Sequence, residues 1–273
     1  MKKHFTTIIL IFIFCIGLSL LLYPTLSDIW NSYHQSKAIV TYAEMVEDID
    51  EETYKSMWDD AALYNQRLAQ TGNRWKLSDA EEKEYERILR VNDSGMMAYL
   101  EIPKINCRLP VYHGTDELVL QTAVGHLEGT SLPVGGESSH CVLSGHRGLP
   151  SAKLFTNLDK LEVGDTFTLR TLDEVLTYEV DQILIVKPDE VDALKIVDGE
   201  DYCTLVTCTP YGINTHRLLV RGHRTWTDNP EEFRVSADAL QTDPMIVALV
   251  IAALLCLFLL FGLLVSARKK KKK

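Results

Sequence analysis

The chain has 273 residues, of which 46% are hydrophobic and 24% are charged, and its formal net charge is -10. This length allows one sizeable domain with additional segments. The acidic balance argues against a nucleic-acid-binding protein, because a negative surface repels the phosphate backbone, and it suits a basic protein partner.

An uncharged apolar block lies near each end of the sequence, at about residues 5–23 and 245–265. Each block has about 20 residues, which as a helix would span the ~30 Å hydrocarbon core of a bilayer. No small-x-small site follows the first block, so we expect an uncleaved anchor rather than a signal peptide. The lysines at residues 2–3 and the basic tail at 267–273 predict that both termini are cytoplasmic, by the positive-inside rule. The predicted protein therefore crosses the cell membrane twice, contacts membrane lipids through both spans, and has its central part outside the cell.

Apolar residues at helical spacing predict one or two amphipathic helices from residue 28 to about residue 70. A Thr-Gly-Asn sequence at 71–73 interrupts this pattern. Ser78 followed by Glu81 forms a capping box, which predicts that a third helix begins there and continues to about Leu89.

The residue pattern of the sequence changes after a turn cluster, Asn-Asp-Ser-Gly, at residues 92–95. Short β-rich runs then recur between Gly, Pro and Asp turns, a pattern that favours an all-β barrel or sandwich. The predicted strands are Met97–Ile102, Cys107–Tyr112, His140–Ser144, Asp165–Arg170, Val175–Val186, Tyr202–Thr207 and His216–Gly222.

Cys208 is the candidate nucleophile. It ends a predicted strand directly before a turn that contains Pro and Gly, so rigid backbone lies behind it and loop backbone in front. A free thiol has a pKa of ~8.5, and nucleophilic chemistry at neutral pH therefore needs a base or a positive charge nearby. The alternative interpretation is a buried, inert cysteine.

A metal site is not expected from the cysteines. Cys203 and Cys208 are five residues apart, so alternation along a strand sends their side chains to opposite faces. The sequence contains neither a C-x2-C pair nor an H-E-x-x-H motif. Cys107, Cys141 and Cys203 are too scattered for a small disulfide scaffold, although a single disulfide among them stays open.

Several histidines could serve as the base for Cys208. His146 follows an apolar strand and is flanked by Gly145 and Gly148, a position that exposes its ring. His223 has a similar local sequence and His216 begins the next predicted strand, so the pattern alone leaves these three open. The full set of candidates is His113, His126, His140, His146, His216 and His223.

An arginine close to Cys208 could stabilise a developing oxyanion. Arg217 and Arg221 lie four residues apart on one predicted strand, and hence on one face. A guanidinium supplies a fixed positive charge and several hydrogen-bond donors, which acyl transfer requires. Each could instead be an ordinary surface arginine.

Taken together, these motifs resemble those of the sortase family, and most of all its pilus-assembling class C. The resemblance covers roughly residues 95–225 and implies a closed eight-stranded β-barrel, with Cys208 as nucleophile, His146 as the catalytic histidine and Arg217 as the catalytic arginine. The motifs that carry it, in the order of the family, are Ile102–Ile105 (IPKI), Pro110–Thr115 (PVYHGT), Gly125–Ser131 (GHLEGTS), Leu143–Gly148 (LSGHRG), Thr204–Cys208 (TLVTC) and Thr209–Gly222.

The resemblance implies a two-step transpeptidation. Cys208 attacks the Thr carbonyl of an LPxTG-like sorting signal to give a thioester, and a lysine amine of the next pilin subunit then resolves it, with His146 as acid and base. The partners would be pilin subunits that bear sorting signals and acceptor lysines, and no metal or organic cofactor is implied. The alternatives are a housekeeping sortase that attaches proteins to cell-wall peptide and a non-catalytic, membrane-tethered binding barrel.

One feature of class C is altered in this chain. Class C sortases usually cover the active site with a lid that carries an Asp-Pro-aromatic motif. The corresponding segment here is TGNRWK at residues 71–76, in which Trp75 supplies an aromatic side chain but no Asp-Pro pair precedes it. We therefore expect no inhibitory lid of the usual kind.

The predicted organisation is mainly β. It comprises an N-terminal transmembrane anchor at 1–27, a helical region with a possible lid at 28–94, a sortase-type β-barrel catalytic domain at 95–227, a linker at 228–244, a C-terminal transmembrane helix at 245–266 and a basic cytoplasmic tail at 267–273.

Overall fold

The structure, a computed structural model, describes residues 2–71, 75–225 and Ala253. The chain divides into two units, Met1–Ile29 with Ser236–Lys273, and Trp30–Val235. Within the described residues, one helix, at the N-terminus, is long and apolar enough to cross a membrane. The predicted linker, second span and basic tail lie outside the described residues, except for Ala253, so the two-pass topology stays a prediction.

Three helices precede the barrel, and their ends follow the turn chemistry of the sequence. They are α1 (Lys2–Glu47), α2 (Glu51–Ala69) and α3 (Asp79–Arg87). The predicted anchor and the amphipathic segment after it form the single helix α1, which continues through Pro24. No Gly and no further Pro occurs between residues 25 and 47 to stop it. The predicted capping box at Ser78 is confirmed as the start of α3.

The barrel is closed by eight strands, which confirms the predicted eight-stranded β-barrel. Their order around the barrel is β1-β2-β3-β4-β7-β8-β6-β5, with β2–β3 and β4–β7 parallel and the other pairs antiparallel. A four-residue helix, α4 (Glu117–Leu120), lies between β2 and β3. The strands are β1 (Met96–Ile102), β2 (Cys107–His113), β3 (Val124–His126), β4 (Ser139–Ser144), β5 (Thr166–Thr171), β6 (Glu174–Val186), β7 (Asp201–Thr209) and β8 (His216–Thr225).

The core lies inside the barrel and under the helices. Phe167 and Tyr178, from neighbouring strands, stack at 5.6 Å between ring centroids, and both are fully buried. Burial of a large apolar side chain contributes about 1.5–3 kcal/mol each. Other fully buried residues of this core include Met97, Leu100, Ile102, Leu143, Phe155, Leu205 and Val220.

Two of the helices are tied to the barrel through a buried polar side chain. Tyr42 of α1 donates to the carbonyl of Met97 at 2.9 Å and accepts from the amide of Leu172 at 2.8 Å. Asn65 of α2 forms a pair of bonds with the backbone of Leu132, at 3.0 and 2.7 Å. A buried polar group left without a partner is costly, so these bonds fix where each helix sits.

Tyr85 holds the third helix in the same way. Its hydroxyl lies 2.9 Å from Nδ1 of His126 and accepts from the amide of Gly114 at 2.9 Å. Tyr85 and His126 are both fully buried. His126, one of the candidate histidines, is thereby engaged in attaching α3 to strand β3.

The cysteines of the described chain are all free thiols. Cys107, Cys141 and Cys203 are buried, and Cys141 lies opposite Cys203 in the parallel register of β4 and β7. Burial raises the pKa of the Cys107 thiol to about 12. Burial, together with the neighbouring Cys141, raises the pKa of the Cys203 thiol well above its usual value. The open question of a disulfide among these three is thus answered in favour of free thiols.

Candidate active site

The hairpin of β7 and β8 brings Cys208 and Arg217 together. The two residues are direct partners in the antiparallel register, near the end of β7 and the start of β8. Both side chains are half-buried. Directly paired residues present their side chains on the same face, so the guanidinium and the thiol share one surface.

His146 reaches the same place from the other side of β7. Strand β4 runs parallel to β7 with Ser144 opposite Val206, and the amide of Gly145 donates to the carbonyl of Val206 at 3.0 Å. Continuing this register by two residues places residue 146 beside residue 208. The side chain of His146 is 28% exposed. Cys208 and Arg217 therefore lie opposite each other on β7 and β8, and His146 follows two residues after the end of β4, on the other side of β7.

A side-chain hydrogen bond joins the segment that ends in Cys208 to the segment that leads to His146. The hydroxyl of Thr207 donates to the carbonyl of Gly145 at 2.7 Å, and Thr207 is buried. This bond joins the residue before Cys208 to the residue before His146. The second Thr of the TLVTC motif thus has a local structural task, which the motif itself does not reveal.

The segment after Gly145 is held by close packing and backbone bonds. A Cβ at residue 145 would lie 2.7 Å from a ring carbon of Phe155, so only glycine fits against that buried ring. The amide of Phe155 donates to the carbonyl of His146 at 3.1 Å. Gly148 has a φ of +78°, and its amide donates to the hydroxyl of Thr156 at 3.1 Å. These contacts give the loop a defined path beyond the end of β4.

Glu117 is a neighbour of His146 that the sequence interpretation missed. One of its carboxylate oxygens lies 3.8 Å from Nε2 of His146, and its side chain is 71% exposed. The contact becomes an ion pair when the imidazole is protonated. Glu117 begins α4, about thirty positions from His146, and no local motif links the two residues.

The guanidinium of Arg217 is held at the turn between β7 and β8. Its Nη1 donates to the carbonyls of Asn214 and His216, at 3.4 and 3.1 Å. Asn214 adopts a φ of +62°, which a short amide side chain tolerates better than most. The turn thus holds the guanidinium end of the Arg217 side chain.

The face that carries Cys208 and Arg217 continues into a partly buried apolar cluster. Leu219 lies opposite both Val206 on β7 and Leu184 on β6, two residues along from the Cys208–Arg217 pair. Since side chains alternate along a strand, these residues share the face of Cys208, while Cys203 and Leu205 point into the main core. The members of this outer apolar cluster are Val142, Leu194 and Leu219, with Leu127, Leu184, Val186, Ala193 and Val206 packed against them.

The other candidate histidines occupy different positions. His140 is buried and bonds to the hydroxyl of Thr204 and the carbonyl of Lys195, at 2.7 and 2.8 Å. His223 lies opposite Tyr202, six residues before Cys208 on β7, which at ~3.3 Å per residue is roughly 20 Å away.

Of the two further candidates, His216 is near Cys208 along the hairpin but on the other face, and His113 ends β2. His216 lies opposite Thr209, on the alternate face from Arg217. His113 is held by the carbonyls of Gly95 and Ile88, and burial lowers its pKa. Neither stands beside Cys208 in the way that the register places His146.

Within residues 2–71 and 75–225, no group of three or more His, Cys, Asp or Glu side chains is arranged to hold a metal ion.

The comparison with known proteins decides the family. Residues 100–225 match the sortase domain model. The structure also matches sortase C1 from Streptococcus agalactiae with a TM-score of 0.69 and 55% sequence identity, over 70% of this chain and 100% of that one. The chain belongs to the sortase family. Sortase C from Streptococcus pneumoniae, in a crystal structure that addresses catalysis and pilin substrate specificity, matches with a TM-score of 0.64 and 45% identity, over 70% of this chain and 97% of that one.

A curated relative extends the comparison beyond class C. Sortase D from Bacillus subtilis (strain 168) is 34% identical over 128 residues, which cover 46% of this chain and 62% of that protein. The chain thus spans less than two thirds of the length of this relative. The predicted resemblance to sortases is confirmed.

Proposed function

We propose that this sortase cleaves an LPxTG-like sorting signal at the Thr-Gly bond and transfers the acyl part to a lysine amine of a pilin subunit. The observation that supports the proposal is the pairing of Cys208 with Arg217 on β7 and β8, together with the parallel pairing of Ser144 and Val206, two residues before His146 and Cys208. Acyl transfer by cysteine needs these three groups close together: a nucleophile, a proton carrier and a donor for the oxyanion.

In the first step, the Cys208 thiolate attacks the Thr carbonyl carbon, and the carbonyl oxygen takes up negative charge. Arg217 lies on the same face as Cys208 and can donate to that oxygen. His146 then protonates the glycine nitrogen as the C–N bond breaks, so that the leaving group departs as a neutral amine. The product is a thioester on Cys208.

In the second step, an incoming amine replaces the thioester. His146, now neutral, accepts a proton from the amine nitrogen as that nitrogen attacks the thioester carbon. The C–S bond breaks, the thiolate is regenerated, and a new amide links the two proteins. No redox partner and no metal is required by this balance of atoms.

The outer apolar cluster supplies a surface for the apolar residues of the signal. Val206 is half-buried and lies two residues before Cys208 on the same face, above the buried Leu219, so a peptide whose Thr carbonyl lies at Cys208 can place an apolar residue against it. The partly buried members of this cluster, among them Val206, supply apolar surface beside the reactive group, which is the usual character of a ligand-binding site.

The alternative of a non-catalytic binding barrel is disfavoured by the burial of the thiols. Cys107, Cys141 and Cys203 are buried, whereas Cys208 is half-buried at the end of β7. An inert structural cysteine is expected in the first environment and not in the second.

The lysine acceptor rests on the similarity to class C structures, among them the pneumococcal sortase C that addresses pilin specificity. A housekeeping sortase would instead transfer the same acyl group to cell-wall peptide. The acceptor therefore separates the two candidates, while the first step is common to both.

The experiment presents both acceptors to the full chain in detergent. An LPxTG-type peptide is incubated with equal concentrations of a lysine-containing pilin peptide and a glycine-terminated cell-wall peptide, and the products are identified by mass spectrometry. We expect an isopeptide product with lysine. Exclusive transfer to the cell-wall peptide would refute the pilin role and support the housekeeping alternative.

Matched variants test the assignment of each residue. We expect His146→Ala and Arg217→Lys to abolish or strongly reduce product. His223→Ala removes the competing histidine candidate, and Arg221→Lys makes the same change on the same strand four residues away, so both should retain activity. The opposite pattern would overturn the assignment.

Membrane anchoring is part of the proposal. Helix α1 supplies the N-terminal span, and residues 245–266 supply the predicted second span. If the chain crosses twice, a cysteine introduced after Lys273 should react with a membrane-impermeant thiol reagent only when the membrane is permeabilised. Labelling in intact cells would refute the two-pass topology.

A further inference from the structure

Arg147 is a nearly buried arginine directly after His146, and the mechanism above gives it no task. Its side chain is 9% exposed. Its Nη2 lies 2.5 Å from a carboxylate oxygen of Asp159, and its Nη1 donates to the hydroxyl of Thr209 at 3.3 Å. Its guanidinium also lies 5.9 Å from the ring centroid of Tyr211.

These contacts join the histidine segment to the cysteine segment. Thr209 is the residue after Cys208, so the bond from Arg147 links the two residues that follow the candidate pair. The bond from Thr207 to Gly145 links the two residues that precede it. The pair is therefore enclosed by one bond on each side.

The need for such a link follows from the strand ends. Strand β4 ends at Ser144, and the last backbone bond across to β7 is made by Gly145. His146 thus lies beyond the regular ladder, where sheet hydrogen bonds no longer fix its distance from β7. A side chain that bridges the two segments can supply what the ladder does not.

We propose that Arg147 is a positioning residue that fixes the separation of His146 from Cys208. This inference rests on the proposed function, since it assigns a role within the same site. A planar guanidinium has several donors in a fixed arrangement, and it reaches Asp159 and Thr209 at once. A lysine ammonium at the same position is a single point of charge on a flexible chain, so it can keep the contact with Asp159 without holding the second one.

The expected consequence is kinetic. Misplacement of a reacting group by ~1 Å can cost about 100-fold in rate. We expect Arg147→Gln to lower the rate of acyl-enzyme formation at saturating peptide by about 10- to 100-fold. The peptide concentration at half-maximal rate should change little, because the outer apolar cluster is untouched. Arg147→Lys should recover part of the loss.

The chain offers a matched control for this change. Arg221 on β8 makes two bonds to Asp181, at 3.0 and 2.7 Å, and stacks at 4.1 Å over the ring of Tyr202. It therefore resembles Arg147 in pairing with a carboxylate and an aromatic ring, but it lies opposite Thr204 rather than at the site. Arg221→Gln should lower stability in a similar way and leave the rate within about threefold of the unchanged chain.

The experiment measures acyl-enzyme formation, thermal unfolding and the pH profile of Cys208 alkylation for the unchanged chain, Arg147→Gln, Arg147→Lys and Arg221→Gln. The alkylation profile of Arg147→Gln should move towards that of His146→Ala, and that of Arg221→Gln should match the unchanged chain. A purely structural role for Arg147 would lower the unfolding temperature without moving this profile, and that result would overturn the inference.

A second variant keeps the test decisive if Arg147→Gln does not fold. Thr209→Val removes only the hydroxyl that receives the bond, and we expect a loss of roughly three- to tenfold in the same rate. An unchanged rate in Thr209→Val, with the profile also unchanged, would refute the role of this bond. If the unchanged chain forms no acyl-enzyme on Cys208, the proposed function itself fails. If the unchanged chain forms it and the variants form it at the same rate, only the role of Arg147 fails.

Discussion

Replacing Gly145 by alanine tests whether close packing on Phe155 holds the strand end that carries His146. A Cβ at this position would lie 2.7 Å from one ring carbon and 3.0 Å from two others, closer than the ~3.5–4.0 Å of a favourable contact. The ring is fully buried, so it cannot turn aside without displacing its neighbours. Overpacking of this kind costs about 1–3 kcal/mol. For a domain of this size, each kcal/mol lowers Tm by about 2–4 °C.

The effect on activity should exceed the effect on stability. Because His146 directly follows Gly145, we expect acyl-enzyme formation by Gly145→Ala to fall by more than about tenfold, even well below its Tm. Gly222→Ala is the control, since its Cβ would lie 2.8 Å from Phe167 and 2.9 Å from Tyr178 in the barrel core. That variant should lose stability to a similar extent and keep a rate within about threefold.

A double-mutant cycle identifies the contact responsible. If the clash is with the ring, Phe155→Leu should relieve part of the cost of Gly145→Ala, with a coupling of about 0.5–3 kcal/mol. Urea unfolding measures the stability and mass spectrometry measures the rate. Additivity within about 0.3–0.5 kcal/mol, together with an unchanged rate in Gly145→Ala, would refute the reasoning.

Three further predictions concern other parts of the molecule. Glu117→Gln should slow acyl-enzyme formation up to about fivefold at low salt and less at high salt. The reason is that an exposed ion pair with His146 contributes about 0–1 kcal/mol and is screened by salt. If the ratio of the variant's rate to that of the unchanged chain is the same at both salt concentrations, this role is excluded. Burial raises the pKa of Asp201. Between the usual carboxyl pKa of ~3.9 and this raised pKa, the folded chain keeps a proton that the unfolded chain has released. The free energy of unfolding should therefore fall as the pH rises through this window. Urea midpoints between pH 4 and 6 should show a smaller fall for Asp201→Asn than for the unchanged chain, and parallel curves would contradict this prediction. Trp75→Ala should leave the alkylation rate of Cys208 unchanged if no lid covers the site, whereas a faster rate would indicate that the exposed Trp75 belongs to one.

The strands could be predicted from the sequence because alternation and turn residues are local signals. These signals predicted seven of the eight strands, with most strand ends within one or two residues of those in the structure. Strands β7 and β8 continue further than predicted. Strand β3, Val124–His126, was missed because three residues are too few to show an alternating pattern. The sequence predicted an anchor followed by a separate helix, but the structure has one helix there, which continues through Pro24.

The candidate site was predictable where a residue carries its own motif. Cys208 lies at a strand end marked by proline and glycine, whereas the choice of His146 over His216 and His223, and of Arg217 over Arg221, follows from the resemblance to the family. Arg147 and Glu117 were missed because their importance depends on partners far away in the sequence. Contacts of this kind form only when the barrel closes, so no local pattern can predict them.

The central claim is that Cys208 becomes acylated by a sorting signal with the help of His146. It is tested most directly by intact-protein mass spectrometry of the full chain after incubation with an LPxTG-type peptide. We predict a mass increase equal to the acyl fragment, located on Cys208, released by hydroxylamine, lost in Cys208→Ala and strongly reduced in His146→Ala. An adduct on another cysteine, or one that forms equally well without His146, would contradict the account.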